Sequence, residues 1–419
     1  MFKILYHLLY FLFPFIVYFF WVFLSNSKFT NKKTFWVSVT AIIMFLTSLV
    51  LVRISETTSK NLDYIPPKVI DILSKVKIRV IPTGIKHGTV SAFINDQSFE
   101  ITTLRKEVRH DGRHSEVIFI DDWYEDASRR DFTINSIYIN QNGEIYDPFN
   151  GIEHLNDKRI IFIGEPEKRI NEDYLRILRY YRFLAIYDSP AEQKTRLIIK
   201  KNAEKITKLS RERIHEEFFK ILENDITGKI INLMHEDGIL DILFSASVDI
   251  CTFNRMKDID DELSFDKDIM LRFASLIPDK EDNIENLKNF SFSNKEKKLL
   301  KFLTDKNNKI KSYQSAKETR VFLYKNGIQN FNYITRLYWA KDKKISNISQ
   351  WRALLAMGQS WKVPTFPVES RDLFLLGVPE GPLIGEILRE VEDWWIDSDF
   401  INDKPSLFER IKAIVGAKI

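Results

Sequence analysis

The spacing of apolar residues changes near Asn171, and this change restricts the possible folds more than any other feature of the sequence. Beyond it, apolar residues recur three or four positions apart, which is the period of an amphipathic helix. The first of them are Tyr174, Ile177, Leu178, Tyr181 and Leu184. Comparable stretches with short breaks continue to the C-terminus, so we predict a mostly helical region from Asn171 onward.

The sequence before Asn171 has a different pattern. Four runs are rich in β-branched and aromatic residues, and Gly, Asn and Asp separate them, as is typical of short strands joined by turns. These runs span residues 77–82, 88–94, 98–104 and 116–120. We therefore predict an α+β fold, in which a small mixed β-sheet precedes the helical region.

The first part of the chain has two long apolar stretches, residues 4–24 and 35–52. Each is close to the ~20 residues that cross the hydrocarbon core of a bilayer as a helix. We predict a transmembrane hairpin over residues 1–53, followed by a polar linker over residues 54–68. One membrane span with an interfacial or buried helix is the alternative.

The composition excludes some sites without indicating a partner. Lys and Arg total 62 against 58 acidic residues, a net charge of +4, so any basic surface that binds nucleic acid must be local. The single cysteine, Cys251, excludes a disulfide within the chain and a zinc site built from cysteines.

A first cluster of polar residues occurs in the segment Arg-Arg-Asp-Phe-Thr-Ile-Asn, residues 129–135. Guanidinium groups can bind phosphate with paired hydrogen bonds, and the amide of Asn135 suits a ribose hydroxyl. A charged helix start is an equally good interpretation of this segment alone. The acidic residues just before it, within residues 121–126, are predicted to be loop residues.

A second cluster lies at the start of the helical region. Asp173, Arg176, Arg179 and Arg182 are spaced by three, so they share one side of a helix. Asp173 can accept a hydrogen bond from an exocyclic amine while Arg176 donates to the base edge. The alternative is a solvated helix face with ion pairs, but the three arginines have too few nearby carboxylates for that interpretation.

These segments resemble the bacterial class II CCA-adding enzymes and their poly(A) polymerase relatives. The resemblance rests on segments in the same order as in that family, and it covers the chain from about Val69 to Ile419. They are RRDFTIN at 129–135, YDPFNG at 146–151, EDYLRILR at 172–179, LSRERIHEEFFKIL at 209–222 and RDLFLLGVPEGPLIGEIL at 371–388.

The resemblance implies roles for individual residues. Arg130 and Asn135 would hold the triphosphate and the sugar of the nucleotide. Asp173 and Arg176 would select CTP or ATP by pairing with the base. The pocket would be completed by Arg179 and Arg182.

The resemblance also implies a domain organisation. Residues 69–150 would be a partial nucleotidyltransferase head, residues 151–225 a neck with the base-recognition helix, and residues 226–419 a helical body and tail. The body and tail would bind the acceptor end of tRNA by its shape and phosphates. The head would include a flexible loop that contains Arg105, Asp111 and Arg113.

The family's metal-binding motifs are absent from this sequence. The family holds Mg²⁺ with an Asp-x-Asp pair on a strand, after a Gly-Gly-x-x-Arg-Asp turn, and neither occurs in the corresponding position. Glu100 lies in a predicted strand, but one carboxylate does not build a two-metal site. The pairs Asp258-x-Asp260 and Asp397-x-Asp399 are predicted to be solvated. We therefore assign no metal ligands and predict a truncated head.

The main hypothesis is a membrane-associated member of the family that binds nucleotides and tRNA but is inactive or impaired as a transferase. Its enzyme-like part is expected in the cytoplasm, where nucleotide triphosphates and tRNA occur. Lys28, Lys32 and Lys33 between the apolar stretches argue against this orientation, since short basic loops prefer the cytoplasm. The alternatives are a non-catalytic tRNA-binding scaffold at the membrane and poly(A) addition.

Overall fold

The computed structural model describes residues 66–85, 88–95, 97–110, 115–278 and 287–418. These residues form two compact units. The head unit contains the described residues up to Arg130 together with Asn135–Gly151. The helical unit contains Asp131–Ile134 and the described residues from Ile152 onward.

A three-stranded antiparallel sheet begins the head unit. Val69 and Leu73 of the first helix pack with Val90 and Ala92 of the middle strand. Because side chains alternate between the faces of a sheet, this helix covers one face, and Ser91 and Glu100 lie on the opposite face with Ile81 and Phe93. In chain order the elements are α1 (Pro66–Lys75), β1 (Arg79–Gly84), β2 (Thr89–Ile94) and β3 (Gln97–Thr102), and the sheet order is β1-β2-β3.

Two further antiparallel pairs complete the head unit. They are formed by β4 (Arg105–His110) with β5 (Ser115–Phe119), and by β6 (Tyr138–Ile139) with β7 (Ile145–Tyr146). Helix α2 (Trp123–Ser128) lies between these pairs in the sequence. The prediction of a mixed sheet is wrong for the described residues, because every strand pair is antiparallel. The chain returns after short turns, whereas parallel strands need long crossovers.

The chain from Gly151 onward is helical, which confirms the predicted mostly helical body. Its helices, in chain order, are α3 (Gly151–Asn156), α4 (Pro166–Glu172), α5 (Leu175–Tyr187), α6 (Gln193–Asn202), α7 (Arg211–Leu222), α8 (Thr227–Glu236), α9 (Ile239–Phe244), α10 (Ile250–Leu263), α11 (Ile269–Ser275), α12 (Asn294–Thr304), α13 (Ala316–Lys341), α14 (Ile348–Ser360), α15 (Ser370–Leu375), α16 (Pro382–Asp397) and α17 (Lys404–Lys418).

The short segment Asp131–Ile134 belongs to the core of the helical unit. Phe132 is fully buried and forms an isolated antiparallel bridge with Phe162. Its ring centroid lies 4.6 Å from that of Phe162 and 5.4 Å from that of Phe183 on α5. This packing holds the neighbouring Asp131 beside the charged side of α5.

The structure does not support the predicted membrane association. Among the described residues, no helix is both long and apolar enough to cross a bilayer. The longest of them, α13, begins with Lys317, Glu318 and Arg320 within its first turns, and such charges are costly in a hydrocarbon core. The apolar stretches at 4–24 and 35–52, and hence the predicted hairpin, lie outside the described residues.

Candidate functional site

Asp126 organises the charged residues of the head unit. Its carboxylate is 1% exposed and accepts hydrogen bonds from Arg129 (Nη2, 2.6 Å), Arg130 (Nη2, 3.1 Å) and the Tyr138 hydroxyl (2.7 Å). The backbone N–H of Arg105 donates to it as well, at 3.1 Å. Burial alone would raise the pKa of Asp126, but the Arg129 charge and these hydrogen bonds lower it below its usual value.

Arg130 and Asn135 contact each other, but through the Asn135 backbone and not through its amide side chain. Nη1 of Arg130 donates to the backbone carbonyl of Asn135 at 2.9 Å. The Arg130 guanidinium also lies 5.1 Å from the centroid of the Tyr138 ring. These contacts and that with Asp126 orient Arg130, while 38% of its side chain remains exposed to solvent.

In the helical unit, Asp173 and Arg176 are held in separate networks at the junction of α4 and α5. Asp173 precedes α5 and has an extended backbone, so the prediction that it shares one side of a helix with the arginines is wrong. Oδ2 of Asp173 accepts from Nη2 of Arg213 at 2.7 Å, and Oδ1 accepts from the backbone N–H of Leu175. Nη1 of Arg176 donates to Glu172 at 2.5 Å and to the carbonyl of Arg169 at 3.0 Å. Both predicted base-recognition residues are thus oriented by the protein itself.

The other two predicted arginines lie one and two turns further along α5. Nε of Arg179 donates to Oδ2 of the buried Asp131 at 2.5 Å. Arg182 pairs with Glu217 of α7, with 3.0 Å between Nε and Oε1. Burial raises the pKa of Glu217, because desolvation outweighs the charges of both arginines.

The arginine partners correct one step of the sequence argument. The three arginines of α5 were expected to have too few carboxylates, but each has one: Glu172, Asp131 and Glu217. Two of these partners are 48 and 35 residues away in the sequence. The ion-paired interpretation therefore describes the structure as well. A ligand would have to use the donors and acceptors that these pairs leave exposed.

The carboxylates of the chain do not form a metal site in the described part of the structure. Glu100 lies in β3 opposite Ser91, with its side chain exposed. No group of three or more His, Cys, Asp or Glu side chains among the described residues is placed to hold a metal ion.

The Asp-x-Asp pairs are used in other ways. Asp260 was predicted to be solvated, but it is 2% exposed and accepts from Nη1 of Arg336 at 2.7 Å. Asp399 pairs with Arg320. No role was predicted for a third pair, Asp266-x-Asp268. Asp268 caps α11 by accepting a hydrogen bond from the backbone N–H of Leu271. None of the three pairs lies on a strand among the described residues.

Several residues in these networks carried no assigned role in the sequence analysis. The contact of Asp126 with Arg130 could have been predicted, because the two residues are four positions apart, which is the spacing of an ion pair within a helix. Arg213 lies within the segment 209–222 that carries part of the resemblance, but nothing in the sequence pairs it with Asp173. Of the predicted loop residues, Arg105 begins β4, and Asp111 and Arg113 lie outside the described residues.

Comparison with known proteins agrees with this fold. Residues 58–161 match the family model described as the poly A polymerase head domain, and residues 191–249 match that described as the probable RNA and SrmB-binding site of polymerase A. The mitochondrial CCA tRNA nucleotidyltransferase 1 of Mus musculus is 34% identical over 357 residues, which cover 83% of this chain and 80% of the relative. The CCA-adding enzyme of Staphylococcus saprophyticus is 28% identical over 363 residues, covering 82% and 88%.

Solved structures agree as well. The crystal structure of the Bacillus stearothermophilus CCA-adding enzyme in complex with CTP superposes with a TM-score of 0.60 at 22% identity, covering 84% of this chain and 87% of that one. An antiparallel head sheet followed by a helical body, with these relatives, defines a nucleotidyltransferase of the tRNA-processing class. The chain belongs to the CCA-adding enzyme and poly(A) polymerase family, which confirms the resemblance seen in its motifs.

Proposed function

We propose that this chain binds CTP, ATP and the acceptor end of tRNA and selects nucleotides for CCA addition, but transfers them poorly or not at all by itself. The observation that carries the proposal is the orientation of Asp173 by Arg213, with about a third of the Asp173 side chain still exposed. A carboxylate held in this way can read a base without a nucleic-acid template.

The chemistry of the base edge explains the selection. Cytosine and adenine both present an exocyclic amine next to a ring-nitrogen acceptor, whereas uracil presents a carbonyl where cytosine has the amine. Asp173 would accept a hydrogen bond from the exocyclic amine, and Arg176 would donate one to the ring nitrogen. Uracil would instead place its oxygen against the Asp173 carboxylate. The pair therefore favours CTP and ATP over UTP.

Arg130 is the proposed phosphate ligand of the head unit. The guanidiniums of Arg129 and Arg130 both contact the buried carboxylate of Asp126. This contact fixes the two groups beside each other, where an anion can bind. Guanidinium groups bind phosphate with short, charge-assisted hydrogen bonds, and Arg130 is the more exposed of the two.

A local basic stretch supports tRNA binding by the helical unit. From Gln193 to Arg213 the chain has eight basic residues and two acidic ones, although the whole chain is almost neutral. The basic residues are Lys194, Arg196, Lys200, Lys201, Lys205, Lys208, Arg211 and Arg213. This stretch overlaps the RNA-binding family match. Lysines and arginines at such a surface bind the phosphates of RNA without reading its sequence.

The residues present do not fit the Mg²⁺ ions that the family implies. Nucleotidyl transfer needs divalent metal to clamp the attacking and leaving oxygens, and Mg²⁺ is usually bound through one or two carboxylates together with phosphates. Among the described residues of the three-stranded sheet, Glu100 is the only carboxylate on the face opposite α1. For this reason we expect little or no transfer by this chain without help.

The outer edge of β3 is where a second polypeptide could supply the missing carboxylates. Among the described residues, β3 has no partner on this edge. The opposite outer strand, β1, contains Arg79 and Pro82 and has an irregular register, which are features that discourage further pairing. β3 has the sequence QSFEIT and a regular register. It therefore lacks those protections, and a strand added there would lie beside Glu100.

The experiment uses the full chain with Mg²⁺, labelled CTP, ATP or UTP, and tRNA that lacks its 3′ end. We expect binding of tRNA, tighter binding of CTP than of UTP, and little extension. Asp173→Ala should reduce the preference for CTP roughly tenfold, since one such base contact is worth about 1–3 kcal/mol. Asp261→Ala removes an exposed carboxylate that pairs with Lys257, outside both proposed sites, and is the matched control.

Robust extension of the tRNA by this chain alone would refute the proposed impairment. Equal binding of CTP and UTP by the unmodified protein would refute the selection. The remaining candidate is an RNA-binding protein without transfer activity, which the absence of a metal cluster in the described residues favours. It would bind tRNA with no preference among the nucleotides.

A further inference from the structure

A groove in the head unit lies near Arg130 but contains none of the residues proposed to bind the nucleotide. It is formed where α2 meets the β6–β7 hairpin and has a volume of about 360 Å³. This is within the range of about 300–1,000 Å³ that is usual for small-ligand sites. The groove is lined by Trp123, Asn140, Glu144, Ile145 and Tyr146.

Aromatic rings form the wall of this groove. The ring of Trp123 lies 5.3 Å from that of Tyr138 and 5.8 Å from that of Tyr146. Yet Tyr146 remains 37% exposed and Ile145 58% exposed. Large apolar side chains grouped at the surface mark binding sites more often than isolated ones do. Exposed aromatic rings in particular serve as platforms on which unpaired nucleobases stack.

The polar residues of the groove, Asn140 and Glu144, place a hydrogen-bond acceptor that suits cytosine and adenine. The Asn140 side chain is used within the hairpin turn: its Oδ1 accepts from the backbone N–H groups of Asn142 and Glu144, and its Nδ2 donates to Oε2 of Glu144 at 2.6 Å. This bond orients the exposed Glu144 carboxylate and leaves Oε1 as an acceptor. A carboxylate accepts from the exocyclic amine of cytosine or adenine and repels the O4 oxygen of uracil.

Positive charge adjoins the aromatic wall. Tyr138 contacts Trp123 on one side, and the guanidinium of Arg130 lies over the Tyr138 ring at 5.1 Å. The Arg130 side chain is 38% exposed, so its guanidinium can attract the phosphate that accompanies a base. The aromatic rings, the Glu144 carboxylate and the Arg130 guanidinium together suit a nucleotide within RNA. An apolar peptide would make no use of the carboxylate or the guanidinium.

We propose that the groove formed by Trp123, Tyr146 and Glu144 binds an unpaired cytidine or adenosine of single-stranded RNA. The proposal rests on the proposed function, because the acceptor end of tRNA is single-stranded. It adds a second place on the chain where C and A are preferred, separate from Asp173 and Arg176. Selection at this groove would act on the RNA strand rather than on the free nucleotide.

The test measures the binding of short oligo(C), oligo(A) and oligo(U) to the full chain, with ultraviolet crosslinking to identify the contacted peptide. We expect oligo(C) and oligo(A) to bind more tightly than oligo(U) and to crosslink within residues 115–151. Trp123→Ala should weaken oligo(C) binding roughly tenfold, as is usual when a stacking ring is removed. Glu144→Ala should abolish the preference for oligo(C) over oligo(U).

The matched control is Tyr124→Ala. This tyrosine is the next residue on α2, is half exposed, and packs against Phe149 outside the groove, so its loss should leave oligo(C) binding unchanged. Trp123→Phe keeps an aromatic surface and should restore most of the affinity that Trp123→Ala loses. This rescue separates lost stacking from a damaged fold, as does the exposed substitution Glu144→Ala.

Two results would overturn the proposal: oligo(C) binding that is equal in the unmodified protein, Trp123→Ala and Glu144→Ala, or crosslinks that map outside the head unit. Either result leaves the proposed function standing if CTP is still preferred over UTP. Conversely, if the nucleotide preference is absent while oligo(C) still binds at the groove, the proposed function is refuted but the proposal for the groove is not.

Discussion

The head unit and the helical unit both hold arginines with carboxylates, but the exposure of the arginines differs. In the head unit, the buried carboxylate of Asp126 accepts from Arg129, Arg130 and the Tyr138 hydroxyl, and 38% of the Arg130 side chain is exposed. Along α5, by contrast, the paired arginines are less exposed: Arg176 with Glu172 at 10%, Arg179 with Asp131 at 28%, and Arg182 with Glu217 at 14%. One cluster presents an exposed guanidinium, and in the other the guanidiniums are mostly covered.

This difference suits the two clusters to different parts of a nucleotide. An exposed guanidinium can bind a phosphate, and a mostly covered one is less able to do so. A paired network can still present fixed donors and acceptors, which is what reading an uncharged base requires. The comparison therefore predicts that changes in the head cluster affect stability and phosphate binding, whereas changes near α5 affect the choice of base.

The largest effect is expected for Asp126→Ala. Removing this carboxylate takes away a partner that Arg129 and Arg130 have in common. Breaking such a buried network lowers the free energy of unfolding by about 3–5 kcal/mol. Hydrogen exchange of peptides from the head unit would report this loss of stability. The control, Asp122→Ala, removes the side chain that caps α2 and should cost about 1 kcal/mol. Equal effects of the two substitutions would contradict the central role of Asp126.

A smaller effect is expected for Arg213→Ala. Its pair with Asp173 is partly exposed, so the free energy of unfolding should change by less than about 1 kcal/mol. The preference for CTP over UTP should nevertheless fall several-fold, because the Asp173 carboxylate loses its orientation. Calorimetric titration with both nucleotides measures this. Lys229→Ala, which removes the partner of the exposed Asp188 at the far end of α5, should leave the preference intact.

The smallest effect is a pH dependence at Glu217. Burial raises the pKa of this carboxyl in the folded chain, so its contribution to stability is greatest below the unfolded value of about 4.3. That contribution is lost as the pH rises through the folded pKa. Glu217→Gln removes the titration, and the stability of the variant relative to the unmodified protein should therefore rise with pH across this window.

Urea unfolding at several pH values measures this difference. Glu216→Gln removes an exposed carboxylate from the same helix without touching the buried pair, and it serves as the control. A stability difference for Glu217→Gln that falls as the pH rises would contradict the assigned direction.

Much of the fold follows from local patterns in the sequence. The period of apolar residues after Asn171 predicted the helical body, and runs of β-branched residues predicted the short strands. The sequence did not reveal that every described strand pair is antiparallel, since runs of residues do not specify their partners. Nor did it reveal that Asp260 is buried beside Arg336, because a turn-prone acidic run normally lies in solvent.

The sequence by itself determined which groups are available: arginines three residues apart on one side of α5, the family motifs, and the lack of an Asp-x-Asp pair on any predicted strand. The tertiary structure decided what those groups do. It brought Asp131, Glu217 and Arg213 to the charged side of α5 from 48, 35 and 40 residues away in the chain. Spacing within a helix is local geometry, but an ion pair depends on which distant segments the packing of apolar side chains brings together.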